Sequence, residues 1–383
     1  MRSIALSMKL AVFRTALAGA LVVAAAAHAA ELPGWAIGPF ERPGEGNPVI
    51  APKPESVFDC PMRGASVHWE SLHTFNPAAV VRDGQICVLY RAEDDSGEMQ
   101  IGRHTSRLGL ARSKDGIHFE RLPTPVFYPA DDDQKSAEWE GGCEDPRIVE
   151  APDGTYVMLY TQWNQRVFRL GLATSKDLEH WEKQGPAFSD PKYADLPTKS
   201  AGVVCSLQDG RLKAVKIGGK YWMYFGEKAI SLATSDDLIH WQPVVDENGK
   251  LLELITPREG YFDSELTEVG PPPVLTKDGI VVIYNGKNGG NGDPAIDVGS
   301  YAAGQVLFST DEPAKVLDRL DKPFFKPEEE FERTGQYAAG TTFTEGLVFF
   351  ENRWFLYYGC ADSLVGVGIC DNPAVTASAE AVE

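Results

Sequence analysis

Acidic side chains stand at the edges of several strongly apolar segments of this sequence. Glu144 and Asp145 precede the segment DGTYVMLYTQ, Glu227 directly follows YWMYFG, and Glu268 comes shortly before PPPVLT. A carboxylate that ends so apolar a segment must point into water or into a polar site, because burying it alone is costly. Carboxyl groups that converge from different segments can supply the acid and the base for glycosidic bond cleavage. We therefore take Asp145, Glu227 and Glu268 as the candidate catalytic residues.

Other polar residues occupy similar places along the chain. Asn76 precedes the apolar segment DGQICVLYRA, and Arg91 lies near its end. Asn285 lies near the end of DGIVVIYNGK, and Asp362 follows ENRWFLYYGC. Each such residue also has a purely structural interpretation, since an Asp before a proline is typical of a turn and an Arg can pair with a nearby acid. The candidate substrate-binding residues are Asn76, Arg91, Asp94, Arg147, Asn285 and Asp362.

A segment repeated five times carries these residues. Its copies are DGQICVLYRA from Asp83, DGTYVMLYTQ from Asp153, GGKYWMYFGE from Gly218, DGIVVIYNGK from Asp278 and ENRWFLYYGC from Glu351, with starts 70, 65, 60 and 73 residues apart. Each copy follows a second short apolar run, and turn residues join the two, which predicts a β-hairpin. A later run, such as LGLATSKDLEHW from Leu170, predicts a third strand closed by a polar turn.

Five repeats of this size predict an all-β fold, a five-bladed β-propeller. A β-sandwich would not repeat its sequence so plainly, and the repeats of a β-helix are much shorter. The innermost strands of a propeller converge on a central channel, so polar residues at their ends can meet there. One short helix is expected in DEPAKVLDRL from Asp311.

The beginning of the chain is typical of a secretory signal. Arg2, Lys9 and Arg14 give a positive front, an apolar run follows, and Ala27-His28-Ala29 offers a cleavage site. We expect residues 1–30 to be a signal peptide and residues 31–383 to form a single catalytic domain, exported to the periplasm or secreted. No other stretch is apolar enough to predict membrane insertion. The net charge of −19 opposes nucleic acid as a partner, whereas a neutral sugar is not repelled.

The cysteines and histidines give no metal signature. The six cysteines are dispersed without a CxxC pair, so buried thiols are favoured, although an oxidising compartment would permit disulfides. His68, His73, His104 and His118 do not stand at metal-ligand spacing on any one element. The sequence therefore predicts neither a metal site nor an organic cofactor.

The sequence resembles glycoside hydrolase family 130, the β-mannoside phosphorylases and hydrolases built on five-bladed propellers. The resemblance covers nearly all of residues 31–383 and rests on FNPAAVV, LYRAEDDSG, GGCEDPRIVE, GPPPVLT and YYGCADSLVGVGI. It implies that Asp145 is the general acid and acts through the 3-hydroxyl of the sugar. It also implies that Asn76, Arg91 and Asp362 hold mannose in the −1 subsite.

Two places depart from the phosphorylases of this family, which bind phosphate with basic residues. Where those enzymes carry a His-Arg pair and a Tyr-His-Gly, this sequence has Phe225-Gly226-Glu227 and Tyr284-Asn285-Gly286. At about 4 Å a carboxylate repels a like charge by roughly 4 kcal/mol at an effective dielectric near 20. A carboxylate there can instead accept a proton from water. These features match the β-1,2-mannosidase branch of the family, in which two glutamates, here Glu227 and Glu268, hold the water.

The sequence thus predicts an inverting, exo-acting β-mannosidase whose substrates are β-mannosides, above all β-1,2-linked manno-oligosaccharides. Two alternatives stay open, and different measurements separate them from the hydrolase. A phosphorylase would need phosphate and would release mannose 1-phosphate. A non-catalytic glycan-binding propeller would bind the sugar without turnover. The oligomeric state is left open.

Overall fold

The computed structural model describes residues 32–371, and almost all of the regular structure in that range is β-strand. Two four-residue α-helices, α1 (Lys135–Glu138) and α2 (Pro191–Ala194), and one 3-10 turn (Glu330–Glu332) interrupt the strands. Within residues 32–371 no helix has the length and apolarity that a membrane span requires. The expected signal peptide lies outside the described residues. The all-β prediction is confirmed.

The strands are numbered in chain order. The first ten are β1 (Phe58–Cys60), β2 (Ala65–Val67), β3 (His73–Arg82), β4 (Gln85–Glu93), β5 (Ser106–Ser113), β6 (Glu120–Arg121), β7 (Gly142–Glu150), β8 (Tyr156–Trp163), β9 (Phe168–Ser175) and β10 (Trp181–Pro186). The next seven are β11 (Ala201–Val203), β12 (Cys205–Gln208), β13 (Arg211–Ala214), β14 (Lys216–Ile217), β15 (Lys220–Phe225), β16 (Ser231–Ser235) and β17 (Trp241–Pro243). The last eight are β18 (Leu266–Val269), β19 (Val274–Thr276), β20 (Gly279–Lys287), β21 (Tyr301–Phe308), β22 (Val316–Arg319), β23 (Thr342–Phe350), β24 (Arg353–Cys360) and β25 (Leu364–Cys370).

The five repeated segments form five successive antiparallel units. Strand β4 pairs with β3 and β5, β8 with β7 and β9, β20 with β19 and β21, and β24 with β23 and β25. In the third unit β15 pairs with β16 on one side and with both β14 and β11 on the other. Part of the apolar run expected opposite β15 forms a separate hairpin, β12 with β13. The predicted hairpins and third strands are otherwise confirmed.

The sheets pack face to face because both faces of their strands are apolar. Along β4, Val88 and Tyr90 lie in one buried cluster with Phe355 and Tyr357 of β24. The alternate residue Leu89 lies in a different cluster, together with residues of β7 and β8. Successive side chains of a strand point to opposite faces, so the first unit packs against the second on one face and the fifth on the other.

The first described residues pair with the last strand. Glu41 bridges to Ile369 and Ile50 bridges to Val365, both antiparallel, along β25. The side-chain amide of Gln305 on β21 also donates to the carbonyl of Ile37 at 2.8 Å and accepts from its backbone N–H at 2.9 Å. These contacts bring the two ends of the described chain together beside the fifth unit.

A polar turn closes the third strand of three units. In the second unit the Ser175 hydroxyl accepts from the backbone of Leu178, and one carboxylate oxygen of Asp177 accepts from the backbone of His180. Leu178 adopts a positive φ of 70°, as Leu238 does in the third unit (71°). This Ser-x-Asp hydrogen bonding explains why the repeated turn sequence forms the same loop each time.

Two further sequence expectations have clear outcomes. The segment DEPAKVLDRL contains no helix, since Val316–Arg319 forms β22 and pairs with β21. That prediction was wrong because backbone pairing with β21 outweighed a weak helical pattern. All six cysteines are buried, as the sequence predicts.

Candidate active site

Two β-bulges aim Asn76 and Asp145 out of their strands. The pairing register shifts at Asn76 in β3 and at Asp145 in β7, and both residues have a positive φ, 46° and 48°. Asn and Asp tolerate this conformation better than most residues, and each is followed by a proline. A bulge redirects a side chain from the sheet face. Here it lets the Asn76 amide donate to Asp145 Oδ1 at 2.9 Å.

Arg91, near the end of β4, holds the carboxylates of two neighbouring units. Its Nη1 donates to Asp145 Oδ1 at 3.0 Å, and its Nη2 donates to Glu93 at 2.6 Å and to Glu144 at 2.9 Å. Its Nε donates to the hydroxyl of Ser106 at 3.0 Å. One buried cation therefore faces three buried carboxylates, an arrangement that makes their protonation interdependent.

The pKa values of the acids around Arg91 are pushed apart. Burial raises the pKa of Glu144 to about 7 although Arg91 opposes the shift. Burial also acts to raise the pKa of Asp145, but Arg91, Lys199 and Arg147 outweigh it and lower that pKa to about 2. A proton shared by this group is therefore held more favourably by Glu144 than by Asp145.

Asp362 faces the same cluster from the fifth unit. It follows β24 in a turn where Ala361 and Asp362 have φ of 47° and 51°. Burial raises the pKa of its carboxyl to about 7, with Arg91 opposing and Asp145 adding to the shift. Gln336 donates to its backbone carbonyl at 2.9 Å. Its carboxyl group lines the cavity described below and is placed to meet a ligand there.

A second acidic group forms between the third and fourth units. Glu227 bridges to Glu268 of β18 in an antiparallel pair, and Ser200 donates a short hydrogen bond to Glu268. Lys199 Nζ lies 3.4 Å from Glu268 Oε1 and 3.8 Å from Glu227 Oε1. Burial raises the pKa of Glu268, and Lys199 opposes the shift. Although burial acts against it, the pKa of Lys199 is raised by Glu268, Glu227 and Asp145, so the lysine stays protonated.

A cavity of about 200 Å³ separates the two acidic groups. Its walls are formed by Phe75, Asn76, Arg91, Glu93, Ile101, Gly102, Glu144, Asp145, Lys199, Glu268, Tyr301, Gln336, Tyr337, Phe343 and Asp362. A larger surface depression of about 580 Å³ around Phe127 and Trp181 contains none of the candidate residues. The converging carboxylates, rather than volume, distinguish the smaller cavity as the candidate active site.

The structure brings five of the nine candidate residues to this cavity. Asn76, Arg91, Asp145, Glu268 and Asp362 line it directly. A sixth, Glu227, reaches its edge through Lys199, and about a fifth of the Glu227 side chain is exposed (22%).

The other three candidates have structural contacts instead. Asp94 is fully buried in an ion pair with Arg107. Arg147 donates to the carbonyls of Asp145, Val269 and Gly270, and its Nη1 lies 2.9 Å from Glu345. The Asn285 amide is held by the backbone of Thr344, which accepts at 3.0 Å and donates at 2.8 Å. These three side chains join neighbouring strands and do not line the cavity.

Sequence reasoning missed several cavity residues. Lys199 lies two residues before β11, and Tyr301 is the first residue of β21. Gln336 and Tyr337 lie in the loop before β23. Glu144 was noted in the sequence without a site role, and Glu93 was not singled out. The signal that could have indicated Lys199 is a lone cation two residues before the apolar strand β11, in TKSAGVV.

The structure also brings together three groups that could hold a metal. Ligand atoms of His73, Glu93 and His104 all lie within 4.8 Å of one another. The sequence argument against a metal site considered spacing within one element, but these residues come from two paired strands and the following loop. Spacing along one element does not detect such a group.

Comparisons with known proteins identify the family of this chain. A family model described as beta-1,4-mannooligosaccharide phosphorylase, for glycoside hydrolase family 130, matches residues 45–376. A 1,2-beta-oligomannan phosphorylase of Thermoanaerobacter sp. (strain X514) is 33% identical over 328 residues, covering 85% of this chain and 95% of the relative.

Solved structures are similar over almost the whole chain. A glycosyl hydrolase from Bacteroides ovatus is 54% identical, with a TM-score of 0.88, covering 91% of this chain and 98% of its own. A structure reported with family members that are glycoside hydrolases targeting β-1,2 mannosidic linkages in Candida mannan is 52% identical, with the same TM-score and coverage. This chain therefore belongs to glycoside hydrolase family 130, whose members act on mannosides.

Proposed function

We propose that this chain is an inverting, exo-acting glycoside hydrolase that releases mannose from β-1,2-linked manno-oligosaccharides. The observation that carries the proposal is the pairing of Glu227 with Glu268 beside the cavity that Asp145 lines from another unit. An inverting glycosidase needs an acid on one face of the sugar and a base holding water on the other. Carboxyl groups for both roles are present, and they come from different antiparallel units.

The acid side is the cluster around Arg91. Asp145 acts as the general acid, and Glu144, whose pKa burial raises to about 7, holds a proton beside it. The proton given to the leaving oxygen is balanced by the one that the base takes from water. Asn76 lines the cavity and donates its side-chain amide to Asp145 Oδ1 at 2.9 Å, which orients the acid. Asn76, Arg91 and Asp362 hold the mannose that is released, as the family resemblance implies.

The base side is the pair Glu227 and Glu268. Lys199 lies beside both carboxylates and opposes the effect of burial, which raises the pKa of Glu268, because an opposite charge nearby stabilises the charged state. Ser200 fixes the Glu268 carboxylate by donating to it. A water held between the two carboxyl groups can lose its proton to a carboxylate as it attacks the anomeric carbon.

A phosphorylase is the second candidate, and one structural feature favours it. Lys199 places a buried cation beside the cavity, and the 33% identical relative is a phosphorylase. However, two carboxylates surround that cation, so the local charge of the three side chains is −1. A phosphate dianion would meet net repulsion there, whereas neutral water would not.

The architecture and the location of the protein complete the proposal. We infer that the five units form a five-bladed β-propeller, because the first unit packs against both the second and the fifth. Polar strand ends would then meet in the central funnel. We also propose that residues 1–30 direct export to the periplasm or outside the cell, and that residues 31–383 are one catalytic domain.

The product distribution tests the proposal. The protein is incubated with β-1,2-mannobiose, with and without inorganic phosphate, and the products are quantified by anion-exchange chromatography. We expect free mannose at the same rate in both reactions. Accumulation of mannose 1-phosphate with a rate that depends on phosphate would establish the phosphorylase instead.

A further inference from the structure

His73, Glu93 and His104 lie together at one side of the acid cluster. Their ligand atoms are within 4.8 Å of one another, and the two imidazole rings are 5.8 Å apart between centroids. Two imidazoles and one carboxylate are the protein ligands of a common type of zinc site, in which water completes the coordination. The reaction proposed above uses none of these three groups for chemistry.

The backbone fixes the positions of the ligands. His73 is the first residue of β3 and Glu93 the last of β4, and the two are direct partners in the antiparallel register. Side chains of directly opposite residues lie on the same face of a sheet, about 4.5–5.5 Å apart at Cβ. His104 ends the loop between β4 and β5, two residues before Ser106. Ser106 is itself the register partner of Glu93.

The imidazoles retain nitrogens that can bind a metal. His104 is 4% exposed, and its Nδ1 has no hydrogen-bond partner among the described residues. His73 Nδ1 is 3.0 Å from the hydroxyl of Ser363, which leaves Nε2 for another ligand. A metal-binding histidine commonly has its second nitrogen fixed by a hydrogen bond in this way. A buried, unpartnered nitrogen is costly unless something binds it.

Glu93 retains capacity although both of its oxygens have partners. Oε1 accepts from Arg91 at 2.6 Å and Oε2 accepts from Gln336 at 3.0 Å. A carboxylate has about four lone-pair positions, so these bonds leave positions for a metal. Metal–ligand distances of about 2.0–2.2 Å require the three side chains to move closer together by small rotations.

We propose that His73, Glu93 and His104 bind one divalent transition-metal ion of the zinc class. The ion would join the start of β3, the end of β4 and the loop from 94 to 105. Ile101 and Gly102 of that loop line the active-site cavity. The ion would thus fix the position of the loop that forms one wall of the cavity. Its ligand Glu93 also accepts a hydrogen bond from Arg91.

Metal binding is measured on the full, untagged chain after treatment with a chelator. Zn²⁺ is titrated against a chromophoric chelator, and bound metal is counted by mass spectrometry after gel filtration. We expect one equivalent for the unmodified protein. His73→Ala and His104→Ala should each weaken binding by more than roughly 100-fold, since even outer-shell changes cost 10–100-fold. His118→Ala is the matched control, because His118 is exposed and pairs only with Asp115.

Cobalt spectra of the unmodified protein keep the proposal testable if a variant fails to fold. Co²⁺ bound to nitrogen and oxygen ligands gives weak visible bands without the intense ultraviolet band of a cobalt–thiolate bond. We expect the first spectrum. A thiolate band would place the metal on a cysteine and overturn the proposal. Absence of binding to the unmodified protein, or unchanged binding in both folded histidine variants, would overturn it as well.

Discussion

Gly359→Ala puts a methyl group where the Asn76 amide lies. Gly359 is on β24, and a Cβ added there would be 2.2 Å from Asn76 Oδ1 and 3.1 Å from the Asn76 backbone nitrogen. Non-bonded carbon–oxygen contacts lie at about 3.3 Å or more, so the amide must move by about 1 Å. The hydrogen bond from Asn76 to Asp145 cannot survive that displacement unchanged.

The expected loss of activity follows from this displacement. A misplacement of about 1 Å at a catalytic group can lower the rate by about 10²-fold, even when the mutation lies outside the chemistry. Each tenfold change corresponds to about 1.36 kcal/mol, so the barrier should rise by about 2.7 kcal/mol. A buried hydrogen bond to a charged group contributes about 1.5–3 kcal/mol, which agrees with that figure.

The assay is kcat/KM for β-1,2-mannobiose in a double-mutant cycle with Asn76→Ala. If Gly359→Ala acts by displacing Asn76, the double variant should be no more than about threefold slower than the slower single variant. Gly34→Ala is the control, because a Cβ at Gly34 meets no atom within 4 Å. Near-normal activity in Gly359→Ala, or fully multiplicative effects in the cycle, would refute the reasoning.

Three further predictions concern the two carboxylate groups. Glu227→Gln and Glu268→Gln should each lower kcat for hydrolysis by more than about 10²-fold, with the fold retained in circular dichroism. The control Glu265→Gln changes an exposed partner of Lys287 and should keep normal activity. Normal rates in both Glu227→Gln and Glu268→Gln would remove the pair from the mechanism. Because the proton carried by Glu144 is lost as the pH rises through about 7, kcat/KM should fall above that pH, and Glu144→Gln should abolish or displace this limb of the profile. Lys199→Met removes the positive charge that opposes the burial-induced rise in the pKa of Glu268. In the pH profile of kcat/KM, the acidic limb, where activity rises with pH, should therefore move to higher pH. An unmoved limb would show that Lys199 does not set the charge of the base.

Much of the architecture can be predicted from the sequence because the repeated strands are apolar on both faces. The five segments from DGQICVLYRA to ENRWFLYYGC all lie within the predicted hairpins. The third unit was harder, because the strand opposite β15 is divided between β11 and β14. The helix expected near residue 315 failed because pairing with β21 decides the structure of that segment.

The site could be predicted where the backbone itself needs a special residue. Asn76 and Asp145 each precede a proline, and each occupies a bulge with positive φ that points its side chain into the cavity. Arg147 and Asn285 also stand among strand ends, yet they bind the backbone of neighbouring strands. Nothing local in the sequence distinguishes a polar residue that lines the cavity from one that binds a neighbouring strand.

Residues supplied by loops could not be predicted from the sequence. Lys199 contacts Glu268, which lies 69 residues further along the chain, and His104 lies close to His73, which is 31 residues earlier in the sequence. Such contacts depend on how the units pack, which a repeat pattern does not specify. His73, Glu93 and His104 likewise come together only across two paired strands and a loop.

The anomer released first tests the central claim most directly. Time-resolved proton NMR follows β-1,2-mannobiose hydrolysis without phosphate, at enzyme concentrations that outpace mutarotation. If Asp145 protonates the leaving oxygen while water held by Glu227 and Glu268 attacks the opposite face, α-mannose must appear first. Initial release of β-mannose, or no release until phosphate is added, would contradict the account.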